Sequence, residues 1–421
     1  MNPPIGRLPD RWLSLAVTVV GAVAFLVLAA LLVPWQWVPG GHYVHVRADQ
    51  VFTAHQIAQG QRYSSAQRHL GWAAYAVSCL VALVLGLTPW GAGLLRRLGG
   101  RWWWKVAVGS AIVLAIGAAA TLPFEWLSYQ RAVAAGLSRQ PASGWWHDQG
   151  VSFGVGWVPT AILLLVLVGV ARRAPRSWPV WVAAATAVLG ALASYVYPVV
   201  VEPLFNHFTP MGPSQLRSQI MDLAHKEHVH ISDVLVADAS RRTTTLNAYV
   251  TGFGNTRRVV VYDNLLREAP RGEILVVVAH ELGHARHEDV VLGTVLGVAG
   301  GVAGIGLLGM VLSSERLLRR SRTGGADDPT VVPLVLALAV VATFLVSPVE
   351  NTISRAIEAR ADRASLAATD DYRDFIAMQR RLAVSSKSDP TPPLWGQLWF
   401  GTHPTTLQRV GIAEALEHRA H

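Results

Sequence analysis

The stretch HELGHARHEDVVLGTVLGVAGG, His280 to Gly301, carries two signals back to back. Its first five residues read H-E-x-x-H. On a helix, His280 and His284 lie one turn apart on one face, so both imidazoles can point at one metal ion. Glu281 falls beside them, where a carboxylate can take a proton from an activated water. From Val290 to about Leu312 the chain is then almost purely apolar. Hydrolytic chemistry is therefore expected at the mouth of a membrane span. The chain has 15 His and 12 Glu, and random placement gives roughly 0.015 matches to this pattern. The bland alternative is a helix with two surface histidines.

Working outward, the 421 residues are 52% hydrophobic and only 15% charged, too apolar for a soluble protein of this size. Apolar runs recur at about Trp12–Val33, Leu70–Leu87, Trp103–Leu122, Val151–Ala171, Trp178–Val201, Val290–Leu312 and Val331–Val349. Each approaches the roughly 20 residues needed to cross hydrocarbon. The first is too long for a signal peptide and lacks a small-residue cleavage site, so it is read as a span. Tryptophans crowd the span borders, as at Trp35, Trp37, Trp102, Trp103, Trp145 and Trp146, in the pattern of an interfacial belt. The net charge of +9 is spread over short loops, with clusters at Arg96, Arg97, Arg101 and Lys105, at Arg172, Arg173 and Arg176, and at Arg316, Arg319, Arg320 and Arg322. Membrane orientation accounts for these charges without a nucleic acid. The lone cysteine, Cys79, permits neither an intrachain disulfide nor a cysteine-based zinc site.

Two stretches are polar enough to face water, residues 202–289 and 350–421. Residues 1–201 carry the first five spans. Residues 290–349 hold two more, which leave the membrane face and return to it. Both polar stretches then emerge on one side and can build one domain. The expected fold is mainly α: a seven-transmembrane-helix protein with a small α+β zinc metalloprotease domain made from two separated segments. Helices are expected at Ser214–Glu227, Glu273–Asp289, Glu350–Thr369 and Tyr372–Val384. Strands are expected at Val234–Ala237, Asn247–Thr251 and Arg258–Tyr262, the last two joined by a Gly-rich turn.

A catalytic zinc site needs three protein ligands and an open position. After the last span, Asn351, Arg355, Glu358 and Asp362 are spaced four, three and four apart. On a helix they form one polar stripe. Glu358 is the expected third ligand. Metal-bound histidines usually donate their other ring N–H to a carboxylate. Asp362, one turn on, is expected to orient His280, and Asp289 is a second candidate for such support. One zinc ion per chain is expected, with Glu281 as the base that takes the water proton and passes it to the leaving amine.

From Pro203 to the C-terminus the chain resembles the type I CaaX prenyl endopeptidases, seven-span zinc proteases of the gluzincin type. The resemblance rests on Pro203-Leu204-Phe205-Asn206, Asn247-Ala248-Tyr249 with Gly252-Phe253-Gly254, Val261 to Leu266, His280 to His284, Ser354-Arg355-x-x-Glu358-x-x-x-Asp362 and His403-Pro404. It implies His280, His284 and Glu358 as zinc ligands and Glu281 as the base. It also implies Asn247 and His403 as transition-state contacts and Arg355 as a structural partner near the metal. The strand containing Ala248 and Tyr249 would pair with an extended substrate. A water-filled chamber inside the ring of spans is a further implication. The chain departs from the family pattern at Thr244-Thr245-Leu246, where Ser-His-Ser is usual, and at His207, where lysine is common.

The expected activity is endoproteolysis of extended, membrane-associated or prenylated-type peptides. Heat-shock-type quality control of membrane proteins is the alternative role. A non-proteolytic zinc scaffold and a transporter are weaker alternatives, since the base is intact and the spans are nearly free of charge. The partners expected are a peptide or protein substrate and the bilayer, and a monomer suffices. The resemblance implies a cytoplasmic catalytic face, whereas the three arginine clusters, if cytoplasmic, put that face outside.

Overall fold

In hydrocarbon every backbone N–H must bond within its own segment, so apolar runs rich in Ala, Leu and Val become helices. The computed structural model describes residues 6–420 and holds seven helices of spanning length and apolarity. They run Arg11–Leu32, Ala54–Leu87, Trp102–Ala134, Ala142–Arg173, Trp178–Val196, Asp289–Leu312 and Val332–Thr369. All seven expected spans are present. The second, third, fourth and last are far longer than their apolar runs, at 34, 33, 32 and 38 residues. At about 1.5 Å per residue each is roughly 50 Å or more, against a hydrocarbon layer of about 30 Å. Polar residues such as Gln67, Gln130 and Gln149 fill the added turns, which hydropathy alone leaves out.

These extensions all emerge on the side of the H-E-x-x-H helix and dock on it. Arg68 pairs with Asp389 at 2.8 Å, and Ser138 bridges to Thr243. Span two packs on three, three on four, four on five and five on six, while the last span packs on two and touches six. The result is a ring. Span one lies against six and five. Small residues set that contact: a Cβ on Gly21 would sit 2.4 Å from the Ala303 nitrogen, and one on Gly306 2.4 Å from the Thr18 nitrogen. At the far end of the ring the three arginine-bearing loops meet. Arg96 donates to the Arg322 carbonyl at 2.7 Å and Arg172 to the Asp327 carbonyl at 3.0 Å.

The sheet has four strands, β1 (Phe208–Pro210), β2 (Asp233–Ala237), β3 (Ala248–Thr251) and β4 (Arg258–Tyr262), in the order β1-β2-β4-β3. β3 and β4 form the expected antiparallel pair, with Val250 opposite Val259. Gly252 turns between them at φ +86°, where a Cβ would strike the Thr256 carbonyl oxygen at 2.5 Å. β1 and the parallel pairing of β2 with β4 are additions to the sequence reading. β3 ends the sheet; among the described residues no further strand pairs with it.

One face of the sheet packs on the motif helix, Arg271–Arg286, through Val259, Val261, Ile274, Val278 and Leu282. The motif helix in turn crosses the outer part of the last helix. Gly283 makes the close crossing possible, because a Cβ there would lie 2.9 Å from that of Ala364. The Ser365 hydroxyl donates to the Val276 carbonyl at 2.7 Å across the same contact, fully buried. Arg381, on the helix Tyr372–Ser385, grips Glu273 at 2.6 and 3.0 Å. The expected helix after Ser214 forms at Gln215–Lys226 and packs on the motif helix, and this side also carries helices Asp263–Glu268, Leu394–Phe400 and Thr406–Ala420.

Candidate active site

The motif helix and the last helix bring His280, His284 and Glu358 together, their ligand atoms all within 4.8 Å of one another. Nε2 of His280 lies 3.1 Å from Nε2 of His284 and 3.2 Å from Oε2 of Glu358. Nε2 of His284 is 3.5 Å from Oε1 of Glu358. Three atoms bound tetrahedrally at 2.0–2.1 Å from one zinc ion would be about 3.3 Å apart.

The other ring nitrogens fix what these atoms are. Nδ1 of His280 is 3.0 Å from Oδ1 of Asp362, and Nδ1 of His284 is 2.8 Å from Oδ2 of Asp289. Each carboxylate can only accept, so a ring that ligates through Nε2 keeps its proton on Nδ1, facing its carboxylate. Oε2 of Glu358 is buried without a well-formed hydrogen bond. Two imidazole Nε2 atoms and a carboxylate oxygen thus converge. With both Nε2 atoms unprotonated, their N, N, O donor set suits zinc.

Asp289 reaches His284 because the chain breaks between the motif helix and span six. Glu288 adopts a left-handed conformation at φ 54° and pairs with Arg257 at 2.7 Å. Asp289 becomes the first residue of the next helix. Both orienting carboxylates are themselves held by arginines that sequence reasoning missed. Arg409, from the C-terminal helix, grips Asp362 at 2.9 and 3.1 Å and through a further contact. Arg360 pairs with Asp289. Burial works against charge on Arg409, but Asp362 keeps it firmly protonated.

Glu281 stands beside the cluster. Burial raises its carboxyl above the ordinary range, opposed by His280 and His284. His403 comes in from the segment before the C-terminal helix, its Nε2 3.4 Å from Oε2 of Glu358 and its side chain 57% exposed. Partial burial lowers its pKa, only partly offset by Glu358. Arg355 does not touch the cluster. It donates to the carbonyls of Gln397 at 2.9 Å and Gly401 at 2.7 Å, so it ties down the segment that carries His403. Asn247, Ala248 and Tyr249 lie at the start of β3, on the free edge of the sheet. Asn247 is exposed, and its carbonyl accepts from the Tyr262 N–H at 3.0 Å.

Residues 211–419 match the model of peptidase family M48, and residues 42–207 match that of the CAAX prenyl protease N-terminal region, described as five membrane helices. The chain is 30% identical over 314 residues to an uncharacterized metalloprotease, YhfN, of Bacillus subtilis, covering 74% of each protein. The chain belongs to peptidase family M48. Other relatives include the CAAX prenyl protease 1 homolog of Oryza sativa, 30% identical over 230 residues and 52% of each chain. The CAAX prenyl protease 1 of Saccharomyces cerevisiae is 28% identical over 157 residues, 37% of this chain and 35% of that one. The crystal structure of Ste24p from S. mikatae has the same fold, with a TM-score of 0.77 at 17% identity over 98% of this chain and all of that one. This M48 protein is therefore a multi-span membrane metalloendopeptidase that acts on peptide or protein substrates.

Proposed function

We propose that the protein is a zinc-dependent endopeptidase that hydrolyses extended, membrane-associated peptides, with one zinc ion held by His280, His284 and Glu358. The convergence of two imidazole Nε2 atoms and a carboxylate oxygen, with both Nδ1 atoms held by carboxylates, is the observation that carries this reading. A zinc ion there supplies Lewis acidity toward water and the scissile carbonyl. Glu281 takes the proton of the attacking water and returns it to the leaving amine. His403 and Asn247 donate to the developing oxyanion. Asp362 and Asp289 hold the two imidazoles in the ligating tautomer, and Arg355 holds His403 in place. The substrate pairs as an added strand with the free edge of β3, along Ala248 and Tyr249.

The working division of the chain is residues 1–201 as five spans, 202–289 and 350–421 as the two parts of the catalytic domain, and 290–349 as the spans between them. The departures at His207 and Thr244-Thr245-Leu246 bear on substrate contacts and leave the catalytic set intact, and turnover of membrane-protein segments is the second reading. The catalytic side is taken to face the cytoplasm, against the arginine bias. In a Cys79→Ser background, cysteines at Gly99 and Arg316 should then label from outside the cell; labelling only after permeabilisation contradicts this orientation.

The purified protein should cleave an extended peptide, lose turnover when a chelator strips its metal and regain it when zinc is restored. Turnover that persists in the metal-stripped protein contradicts the proposal.

A further inference from the structure

A second cavity, of about 510 Å³, lies against the other face of the sheet, between β3 and the chain leaving span five. Its volume falls within the roughly 300–1,000 Å³ common to ligand sites. Its walls include Tyr197, Tyr249 and Tyr262, together with the carboxylate of Glu202. Glu202 is half-buried. Among the described residues its oxygens accept only from the Thr251 hydroxyl, at 3.1 and 3.2 Å, and no cation comes within ion-pair distance of it. Arg242 also lines the cavity, but its guanidinium is taken by Asp148 and the Phe205 carbonyl. Arg258 acts on Glu202 only at longer range and is itself exposed. Burial therefore raises the Glu202 carboxyl above its ordinary range, with Thr251 and Arg258 compensating in part. The cavity presents an under-compensated anion walled by aromatic rings, the combination that binds an organic cation.

Its position says where such a cation comes from. Tyr249 and Tyr262 pack with Phe208 and Val260 on the face of the sheet away from the motif helix. Side chains along a strand alternate between faces. A peptide added to the edge of β3 would send every second side chain to the face with Tyr249 and the cavity, and the others toward the motif helix.

We infer that this cavity is a specificity subsite that takes a lysine or arginine side chain of the substrate, with Glu202 as its counter-ion and Tyr249 as its aromatic wall. The inference rests on the peptidase reading above, because it needs a peptide along β3.

The test measures binding by fluorescence anisotropy with the Glu281→Gln protein, which need not turn over. The probes are extended peptides carrying lysine, methionine or glutamate at each position in turn. One position should prefer lysine over methionine by about tenfold, the worth of one cation paired and stacked. The positions on either side should show no such preference. Glu202→Gln, which keeps an acceptor for Thr251, should shrink the ratio to about twofold or less, and Glu202→Lys should shift it toward glutamate. Tyr249→Leu, a second variant that leaves Glu202 intact, should reduce the ratio by a smaller factor. Lysine preference at no position, or a preference that survives Glu202→Gln, overturns the subsite. Cleavage by the wild-type protein without cationic preference would overturn the subsite alone; no binding and no cleavage of any peptide would overturn the peptidase reading with it.

Discussion

Asp362 holds Nδ1 of His280 at 3.0 Å while fully buried, and so fixes which nitrogen of that ring is free to ligate. Arg409 neutralises Asp362 and itself lies 3.3 Å from the same ring nitrogen. The pair makes a prediction that separates ligation from stability. Asp362→Asn keeps the shape but can present an N–H to the ring, so zinc affinity should fall about 10- to 100-fold. Arg409→Ala should instead strand a buried carboxylate and cost roughly 3–5 kcal/mol of stability. Competitive zinc titration and thermal unfolding read the two effects. Equal zinc affinity in Asp362→Asn would remove the orienting role.

Burial disfavours charge on His280, yet the nearby carboxylates of Asp362 and Glu358 push its pKa up to about 10 in the metal-free protein. The sign follows directly. Below that value the ring holds an extra proton, and a ligating imidazole must give it up. Zinc affinity should therefore rise with pH from neutrality toward 10, with net proton release. Calorimetry at pH 7.5 in buffers of different ionisation enthalpy measures the number released. Binding without proton release would contradict the close coupling of His280, Asp362 and Glu358.

Gly283 sets how near the motif helix approaches the last helix. A Cβ there would meet the Cβ of Ala364 at 2.9 Å, so Gly283→Val must push the helices apart. Overpacking of this kind costs about 1–3 kcal/mol. The same displacement moves Glu358 away from the histidines, so metal affinity should fall with stability. A Gly283→Val protein with unaltered melting temperature and zinc affinity would show that the crossing does not define the site.

Arg355 touches the backbone before His403 rather than the metal ligands. Arg355→Ala should lower kcat while the zinc content stays at one per chain. His403→Ala should lower kcat by about 10²-fold, the usual effect of losing one oxyanion donor. Loss of zinc in either variant would place them among the ligand supports instead.

How much of this was legible in the chain depended on the range of the signal. His280, Glu281 and His284 lie within one turn, and Glu358 and Asp362 within another, so helical spacing exposed both groups. Seven apolar runs were equally plain. The motif helix needed the structure to show its end, since Asp289 belongs to the next helix and reaches back across the break at Glu288. Arg409 acts across 47 residues on Asp362, and no local periodicity marks it. The ring order of the spans was hidden for a related reason: hydropathy reports that a helix crosses hydrocarbon, not which neighbour it meets. Glu202 carries no local sequence signal, because its partners, Thr251 and the tyrosines, come from β3, β4 and the end of span five. Only the fold brings them together.

One ion held by His280, His284 and Glu358 is proposed to work with Glu281 in cleaving peptide bonds. The decisive measurement compares purified wild-type and Glu281→Gln proteins for zinc content and peptide cleavage. Both should carry one zinc per chain, and only the wild type should turn over, with the variant down by at least about 10³-fold. Equal turnover by the two proteins, or a wild-type protein that cleaves without zinc, would contradict it.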